Sequence, residues 1–544
     1  MFKLYNNSKS HINTEKITNT IYSLIPLNIF QTWYTLELPD QMRKNQEKLK
    51  NDNPEFKYHL YDDEMCRDFI KQHFNEETLW AFDKLIPGAY KADLWRYCVL
   101  YIHGGIYLDM KFQCINNFKL IELTNKEHWV KDLQDHVVKS IYQAVMITYP
   151  RNEILRKAIQ SILNNCKTNN YTNINSLSIS GPSLLGQFFN ELELKKINLN
   201  NIGHIVTKND KKILKHYDEY RLEQSQKQKT RHYDLMWNTL DIYKYPILQS
   251  HWNLDLTKNY SCSNNKNTYN SSIPLLIVND DSIKLYIEYC NEYYSSEGYK
   301  QNKDINEKSK FSLTKYDFDF NKIDDEFFFN FYEKSAHNLI LCAIDNDIYY
   351  KSDHFNSNHK KYYLASNKLI MNDDNNIDFN FIDEKTYRLH NKINNNPSSF
   401  LNIKDELIFI YHWYPLQIGN INYDKNEMKI NKIKYNTPEF FKNIKKASCG
   451  VLKENEIWFL LNIENVNVQK KTIFNNKHLF SIFDLELNFK RHSELFSFTG
   501  EKNEFCRSFV FKDDDIIIGY GVSNKECFIS KYNFEDICKT LRWF

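Results

Sequence analysis

The run YKADLWRYCVLYIHGGIYLDMKFQC, Tyr90 to Cys114, constrains this chain more than any other segment. Leu94, Trp95, Cys98, Val99 and Ile102 recur at helical spacing and bury most of one helix. Lys91, Asp93 and Arg96 are set into that apolar surface, and Asp93 and Arg96, three residues apart, share a face. Charges placed there are costly unless something pairs with them. Two readings stay open: an intrahelical ion pair on a solvated face, or a pair that grips hydroxyl groups through charge-assisted hydrogen bonds. The helix runs into Gly104-Gly105, which permits a tight turn, and then into IYLD, a short strand that ends in Asp109. Ligands of open α/β sheets gather beyond the carboxyl ends of strands. A carboxylate there holds a divalent metal or a ribose hydroxyl. An aspartate at a strand end is also an ordinary turn residue, so it is the combination of helix, double glycine and terminal carboxylate that points to a site.

Around this segment the pattern is α/β. Residues 26–33 (PLNIFQTW) read as a first strand and its exit loop, 40–50 as a helix with Asp40 as its N-cap, 56–61 as a second strand and 63–73 as a further helix. With 544 residues, more than one domain is expected. The divisions are a polar lead (1–20), an α/β domain (21–258), a low-complexity linker (259–272, NYSCSNNKNTYNSS) and a mainly-β region (273–544). Short strands are predicted there at 273–278, 283–289, 339–344, 406–411, 457–461, 509–511 and 516–519, with few helical periods between them. Many short strands with polar turns suggest a sandwich, barrel or propeller.

The 71 basic and 69 acidic residues leave a net charge of +2, which argues against nucleic acid as a partner. Eleven scattered cysteines, odd in number and without a CxxC pair, suit reduced thiols better than a disulfide framework or a zinc site. The polar N-terminus carries no signal-peptide pattern, and the apolar stretch at 21–30 is interrupted by Pro26 and Asn28, so no membrane span is expected and a cytoplasmic location is. The abundance of Asn, Ile, Lys, Tyr and Phe beside 12 Gly and 11 Pro resembles the coding bias of an AT-rich genome.

Five segments in order, PLNIFQTW, YHLYDDEMCRDFI, KADLWRYCVLYIHGGIYLD, YQAVMITYPRNEILRKAI and SISGPSLLG, resemble the DXD-type sugar-transferase family that includes the yeast Golgi initiating mannosyltransferases. The likeness is greatest to its giant-virus and bacterial capsule-type members. It implies a Rossmann-like GT-A fold, a nucleotide-sugar donor, a glycan or glycoconjugate acceptor, Mn²⁺ or Mg²⁺ as cofactor, and retention of anomeric configuration. Carried over by the resemblance, Gln31 and Thr32 border the nucleotide, Trp33 stacks on the base, and Lys91, Tyr107 and Lys111 belong to the donor side. Asp93 and Arg96 hold the hexose, and Asp109 contacts ribose, sugar and metal; these three are the catalytic set. Gln143, Gly181, Pro182 and Ser183 fall on the acceptor side. Two departures matter. The second aspartate of the DXD motif is replaced by Lys111, so either another group completes the metal site or the lysine itself offsets the diphosphate charge. His251, in QSHW, is the candidate extra ligand, with a structural histidine as the alternative.

In the second half, residues 269–299, 396–418, 448–463 and 503–532 resemble blades of five-bladed propellers related to glycoside hydrolases and phosphorylases. Relatives place an aspartate where this chain has Ser523 and Asn524, which leaves Glu504 as the best inner carboxylate. Ordinary glycoside hydrolysis needs a carboxylate pair. The expected role is therefore to bind or position a glycan, with mannoside cleavage or phosphorolysis as one alternative and a wholly non-catalytic glycan-binding protein as another. Trp413 can stack on a sugar or serve as blade core.

Overall fold

The computed structural model describes residues 23–132, 139–171, 175–227, 231–261, 268–278, 282–290, 293–301, 310–331, 336–344, 347–356, 361–369, 376–377, 398–403, 406–422, 427–466 and 473–544. The expected polar lead lies outside them, as do residues 262–267 of the expected linker. The chain divides into two compact units, Met1–Cys166 with Asn173–Asp234, and Lys167–Thr172 with Leu235–Phe544.

In the first unit, β1 (Asn28–Thr32), β2 (Lys57–Tyr61), β3 (Gly105–Leu108) and β4 (Val145–Thr148) form a sheet in the order β2-β1-β3-β4. β1 runs parallel to β2 and β3, and β4 is antiparallel to β3. The carboxyl ends of three neighbouring strands therefore open on one side. Ile29, Ile106, Leu108, Val145 and Ile147 pack one face of this sheet into a common core. A small second sheet (Phe112–Cys114, Lys211–His216, Ile205–Lys208, Leu199–Ile202 and Val130–Asp132) adds Phe112, Leu214 and Val206 to it.

Four helices fill the crossings: α1 (Asp40–Asp52), α2 (Asp63–His73), α3 (Glu76–Lys84) and α4 (Gly88–His103). α2 is capped by Asp62, whose carboxylate accepts from the Met65 amide at 2.8 Å. The N-cap of α1 is Pro39 rather than Asp40, and it offers no side-chain acceptor. The orphan amides of Gln41 and Met42 are met instead by Glu223, at 2.8 and 3.0 Å, from a helix far along the chain.

α4 is buried through most of its length, including Asp93 and Arg96. Its exit is the double glycine. Gly104 has φ +62°, and a Cβ there would lie 2.7 Å from the Pro150 ring; Gly105 has φ +113°, with Asn28 O 2.8 Å from its would-be Cβ. Any other residue strains the backbone and collides with neighbours that cannot give.

The second unit is mainly β. Five larger sheets succeed one another. The first joins Trp252–Asp255 to Glu526–Asn533, Asp515–Val522 and Glu504–Lys512. The second is built on Thr268–Val278 and Ile283–Cys290, the third on Ala336–Ile344, Asp347–Asn356 and Lys361–Lys368. The fourth runs from Ser399–Ile403 to Glu427–Lys434, and the fifth contains Glu456–Val466 and Phe474–Asp484. Within the expected linker, Asn259–Ser261 and Thr268–Val278 are paired antiparallel strands of the second sheet, so the flanks of that polar stretch are structural, not connecting.

Each successive pair of these sheets shares its own apolar cluster. Leu276 and Ile517 lie between the first and second, and Leu275 and Leu341 between the second and third. Cys342 and Phe409 fill the next interface, and Ile410, Trp413 and Phe459 the one after. Trp458, Phe480 and Phe509 join the fifth sheet to the first.

Gly105→Ala is expected to destabilise the chain by about 1–3 kcal/mol, the cost of one forced backbone conformation with a clash. Gly88, whose Cβ would meet nothing within 4 Å, is the control: Gly88→Ala should leave the thermal midpoint unchanged. Equal midpoints for the two variants would contradict the assigned turn.

Candidate functional site

α4 and β3 meet at the double glycine, which brings a helix face and a strand end together. From α4 come Asp93, Arg96 and Tyr97; from β3 and the following turn come Tyr107, Asp109 and Lys111. The Arg96 guanidinium lies 3.3 Å from Asp93 Oδ1 and 3.4 Å from Asp109 Oδ1, with its Cζ 4.3 Å above the Tyr107 ring. The Tyr107 hydroxyl donates to Asp109 Oδ1 at 2.9 Å. Lys111 Nζ closes the series 2.7 Å from Asp109 Oδ2. The solvated-face reading is thereby corrected: the Asp93 and Arg96 side chains are 6% and 7% exposed.

Gln143 knits the cluster together. Its amide nitrogen donates to Asp93, its amide oxygen accepts from the Tyr97 hydroxyl, and its backbone carbonyl accepts from Arg96 at 3.2 Å. Ser180 donates to the other Asp93 oxygen at 2.8 Å. Sequence reasoning assigned Gly181, Pro182 and Ser183 from this loop. They form the start of a short helix, Pro182–Gly186, with Gly181 as N-cap, and it is the preceding Ser180 that reaches Asp93. Ser180 and Tyr97 were missed; the i,i+4 spacing of Tyr97 from Asp93 was the available signal.

The turn carrying Lys111 is held from several sides. Asn45 of α1 donates to the carbonyls of Met110 and Phe112, at 3.0 and 2.9 Å, and the Lys111 carbonyl accepts from the Tyr217 amide at 2.9 Å. Trp33, just past β1, packs against a cluster of Met42, Met110, Tyr217 and Tyr220; its Nε1 is buried and has no partner among the described residues. Gln31 and Thr32 point their polar atoms inward. Gln31 accepts from the Tyr58 hydroxyl at 2.7 Å, and Thr32 donates to the Tyr61 carbonyl at 2.9 Å. Lys91 lies over the Phe82 ring of α3. His251 belongs to the second unit, where its Nε2 is 3.0 Å from Asp515.

The electrostatics separate the two carboxylates. Burial pushes the Asp93 carboxyl up to about 6, although Arg96, Ser180 and Gln143 pull the other way. Burial also opposes the charge on Asp109, but Lys111 and Arg96 overcome it and hold that carboxyl down at about 2. Asp109 is thus a fixed anion, while Asp93 changes charge slightly below neutrality.

Residues 39–134 match the model of the glycosyltransferase sugar-binding region containing DXD motif. Over these residues the chain is similar to the DXD-type glycosyltransferases. An uncharacterized glycosyltransferase of Acanthamoeba polyphaga mimivirus is 41% identical over 96 residues, 17% of this chain and 38% of the relative. Inositol phosphoceramide mannosyltransferase 2 of Schizosaccharomyces pombe is 32% identical over 145 residues, 27% of this chain and 40% of the relative. A mannosyl phosphorylinositol ceramide synthase of Saccharomyces cerevisiae is 32% identical over 142 residues, 26% and 35% of the two chains. The chain thus spans less than half the length of these curated relatives.

The DXD motif of this family generally holds a divalent cation. The donor set here does not fit one. Hard cations seek several oxygen ligands, yet Asp109 Oδ2 is taken by an ammonium group, Oδ1 faces Arg96 and the Tyr107 hydroxyl, and the position of the second carboxylate is itself cationic. Among the described residues no group of three His, Cys, Asp or Glu side chains is arranged to hold a metal.

Because its pKa is raised in the folded state, Asp93 adds stability at low pH that is lost as pH rises from about 4 to about 6. The stability of Asp93→Asn relative to wild type should therefore improve over that interval and level off above it. Denaturant unfolding at a series of pH values measures this, and a difference that does not vary with pH would refute the assignment.

Proposed function

We propose that the first unit, with a GT-A fold, transfers a hexosyl group from a nucleoside diphosphate sugar to a hydroxyl of a glycan or glycoconjugate, with retention of anomeric configuration. The observation that carries this is the buried Asp93–Arg96–Asp109 constellation at the carboxyl end of β3, inside the segment that matches the family model. Asp93 and Arg96 present an acceptor and a donor group fixed at one place, which suits paired sugar hydroxyls. The departing diphosphate develops negative charge, and preorganised cations stabilise such charge more effectively than mobile solvent does. The partly exposed indole of Trp33 beside Met110 is a suitable wall for the base. Mannose is the first donor sugar to test and a glycolipid headgroup a reasonable acceptor, because two of the relatives are named as an inositol phosphoceramide mannosyltransferase and a mannosyl phosphorylinositol ceramide synthase.

The second unit is proposed to be a five-bladed β-propeller that binds glycan. Five sheets with five shared cores support this, as does the completion of the last-formed sheet by Trp252–Asp255 from the start of the unit. Trp413 is fully buried against Phe459, so it serves as core. Glu504 is buried, and its carboxylate accepts from the Phe498 amide and from the Thr499 amide and hydroxyl at 2.6–2.7 Å. Asn524 binds the Ser272 hydroxyl at 2.8 Å. A carboxylate held by three short donors is committed to its turn, which favours glycan binding over the mannoside-cleaving alternative.

Arg96→Ala and Asp109→Ala should each lower nucleoside diphosphate release from GDP-mannose, or from whichever of UDP-glucose and UDP-galactose is the donor, by about a hundredfold or more. Melting curves verify that each variant is folded. Turnover like that of the wild type in either folded variant would sink the site.

A further inference from the structure

The residue that departs from the family motif is better placed than a chance substitution would be. Lys111 stands two positions after Asp109, where the motif has its second carboxylate, and its ammonium nitrogen is 2.7 Å from Asp109 Oδ2. Its side chain is 14% exposed, so the group is largely buried yet reaches the surface of the site. The Phe112 and Tyr142 rings flank it at 5.6 and 5.2 Å. An ammonium group has three donors. Asp109 takes one of them at 2.7 Å, so the group has further donors to offer a ligand. The backbone of the turn is fixed by Asn45 and Tyr217, so the charge is held in place rather than swinging on a mobile loop.

A divalent ion brought to Asp109 would have to displace this ammonium group and then stand beside both it and Arg96. Two cations next to a third repel, and in a partly buried site water screens that repulsion weakly. The arrangement already supplies what the ion would: fixed positive charge beside the strand-end carboxylate.

We propose that Lys111 takes the place of the divalent cation, so that this chain binds the diphosphate of its donor without metal. The inference rests on the glycosyltransferase reading given above. In the transfer, the bond from the anomeric carbon to the phosphate oxygen breaks and its electron pair leaves with the diphosphate. The acceptor hydroxyl oxygen forms the new bond to that carbon, and its proton passes to the departing phosphate oxygen. Lys111 and Arg96 hold the charge that accumulates on the leaving group.

Calorimetric titration of the full chain with GDP and UDP, each with excess EDTA and with Mn²⁺, tests this, with guanosine and uridine as the matching ligands that lack the diphosphate. The wild type should bind one nucleoside diphosphate with affinities that agree within about twofold between chelator and metal. Lys111→Met should weaken diphosphate binding by about tenfold or more, the value of a charge-assisted hydrogen bond, and leave nucleoside binding unchanged. Lys111→Arg, which keeps the charge, should retain most of the affinity. Lys111→Asp should make binding depend on Mn²⁺. Loss of wild-type diphosphate binding in EDTA overturns the proposal while leaving the glycosyltransferase reading intact, and so do equal losses of diphosphate and nucleoside affinity in Lys111→Met. Binding of neither nucleotide under any condition overturns that reading and this inference with it. The wild-type arm with chelator is decisive even if Lys111→Met does not fold.

Discussion

Four alternating charges, Asp93, Arg96, Asp109 and Lys111, are withdrawn from water together, and the first unit is arranged around that fact. Removing such ions from solvent costs several kcal/mol each, and attraction between them offsets the cost only when geometry is good and the remaining donors and acceptors are satisfied. Each neighbour can be read as meeting one of those needs. Gln143 and Ser180 occupy the Asp93 oxygens, Tyr107 occupies Asp109 and lies beneath Arg96, and Asn45 and Tyr217 pin the backbone that carries Lys111. The double glycine sets the register between helix and strand on which all these distances depend.

The second unit spends its buried charge differently. Arg507 and Glu288, 5% and 3% exposed, pair at 2.7 Å across the first and second sheets. Glu504 ties down the turn that leads from the fifth sheet into the first. In these places ionic groups act as joints between or within sheets. Similar residue types thus form a buried charge cluster in one unit and secure the joints of sheets in the other.

Much of this was legible in the sequence where pattern and chemistry coincide. The α4–Gly-Gly–β3 segment combines helical periodicity, a glycine pair and a terminal carboxylate, and each signal survives folding unchanged. Other features depend on contacts that spacing does not encode. Glu223 caps a helix from the far end of the unit, and Ser180 rather than Ser183 reaches the site. In the β-rich half, the strand Phe474–Asp484 falls outside the strands predicted above and opens with the polar run FNNKH, yet Asn475, Asn476, Lys477 and His478 are all buried. Buried polar runs of this kind defeat hydrophobic patterning because tertiary hydrogen bonds, not side-chain polarity, decide where they lie. Glu504 looked like an available acid for the same reason: its three donors come from Phe498 and Thr499, whose approach is a property of the folded turn.

The pairing of Trp252–Asp255 with Glu526–Asn533 carries a consequence for how the chain is made. During synthesis the early strand leaves the ribosome long before its partner exists. Through that interval it is an unpaired edge with open amides and carbonyls, the kind of surface that invites association with other chains. Closing so long a loop adds little entropy cost beyond that of a shorter one, so the delay is set by translation rather than by thermodynamics. The second unit therefore completes this sheet only after residue 533 has emerged.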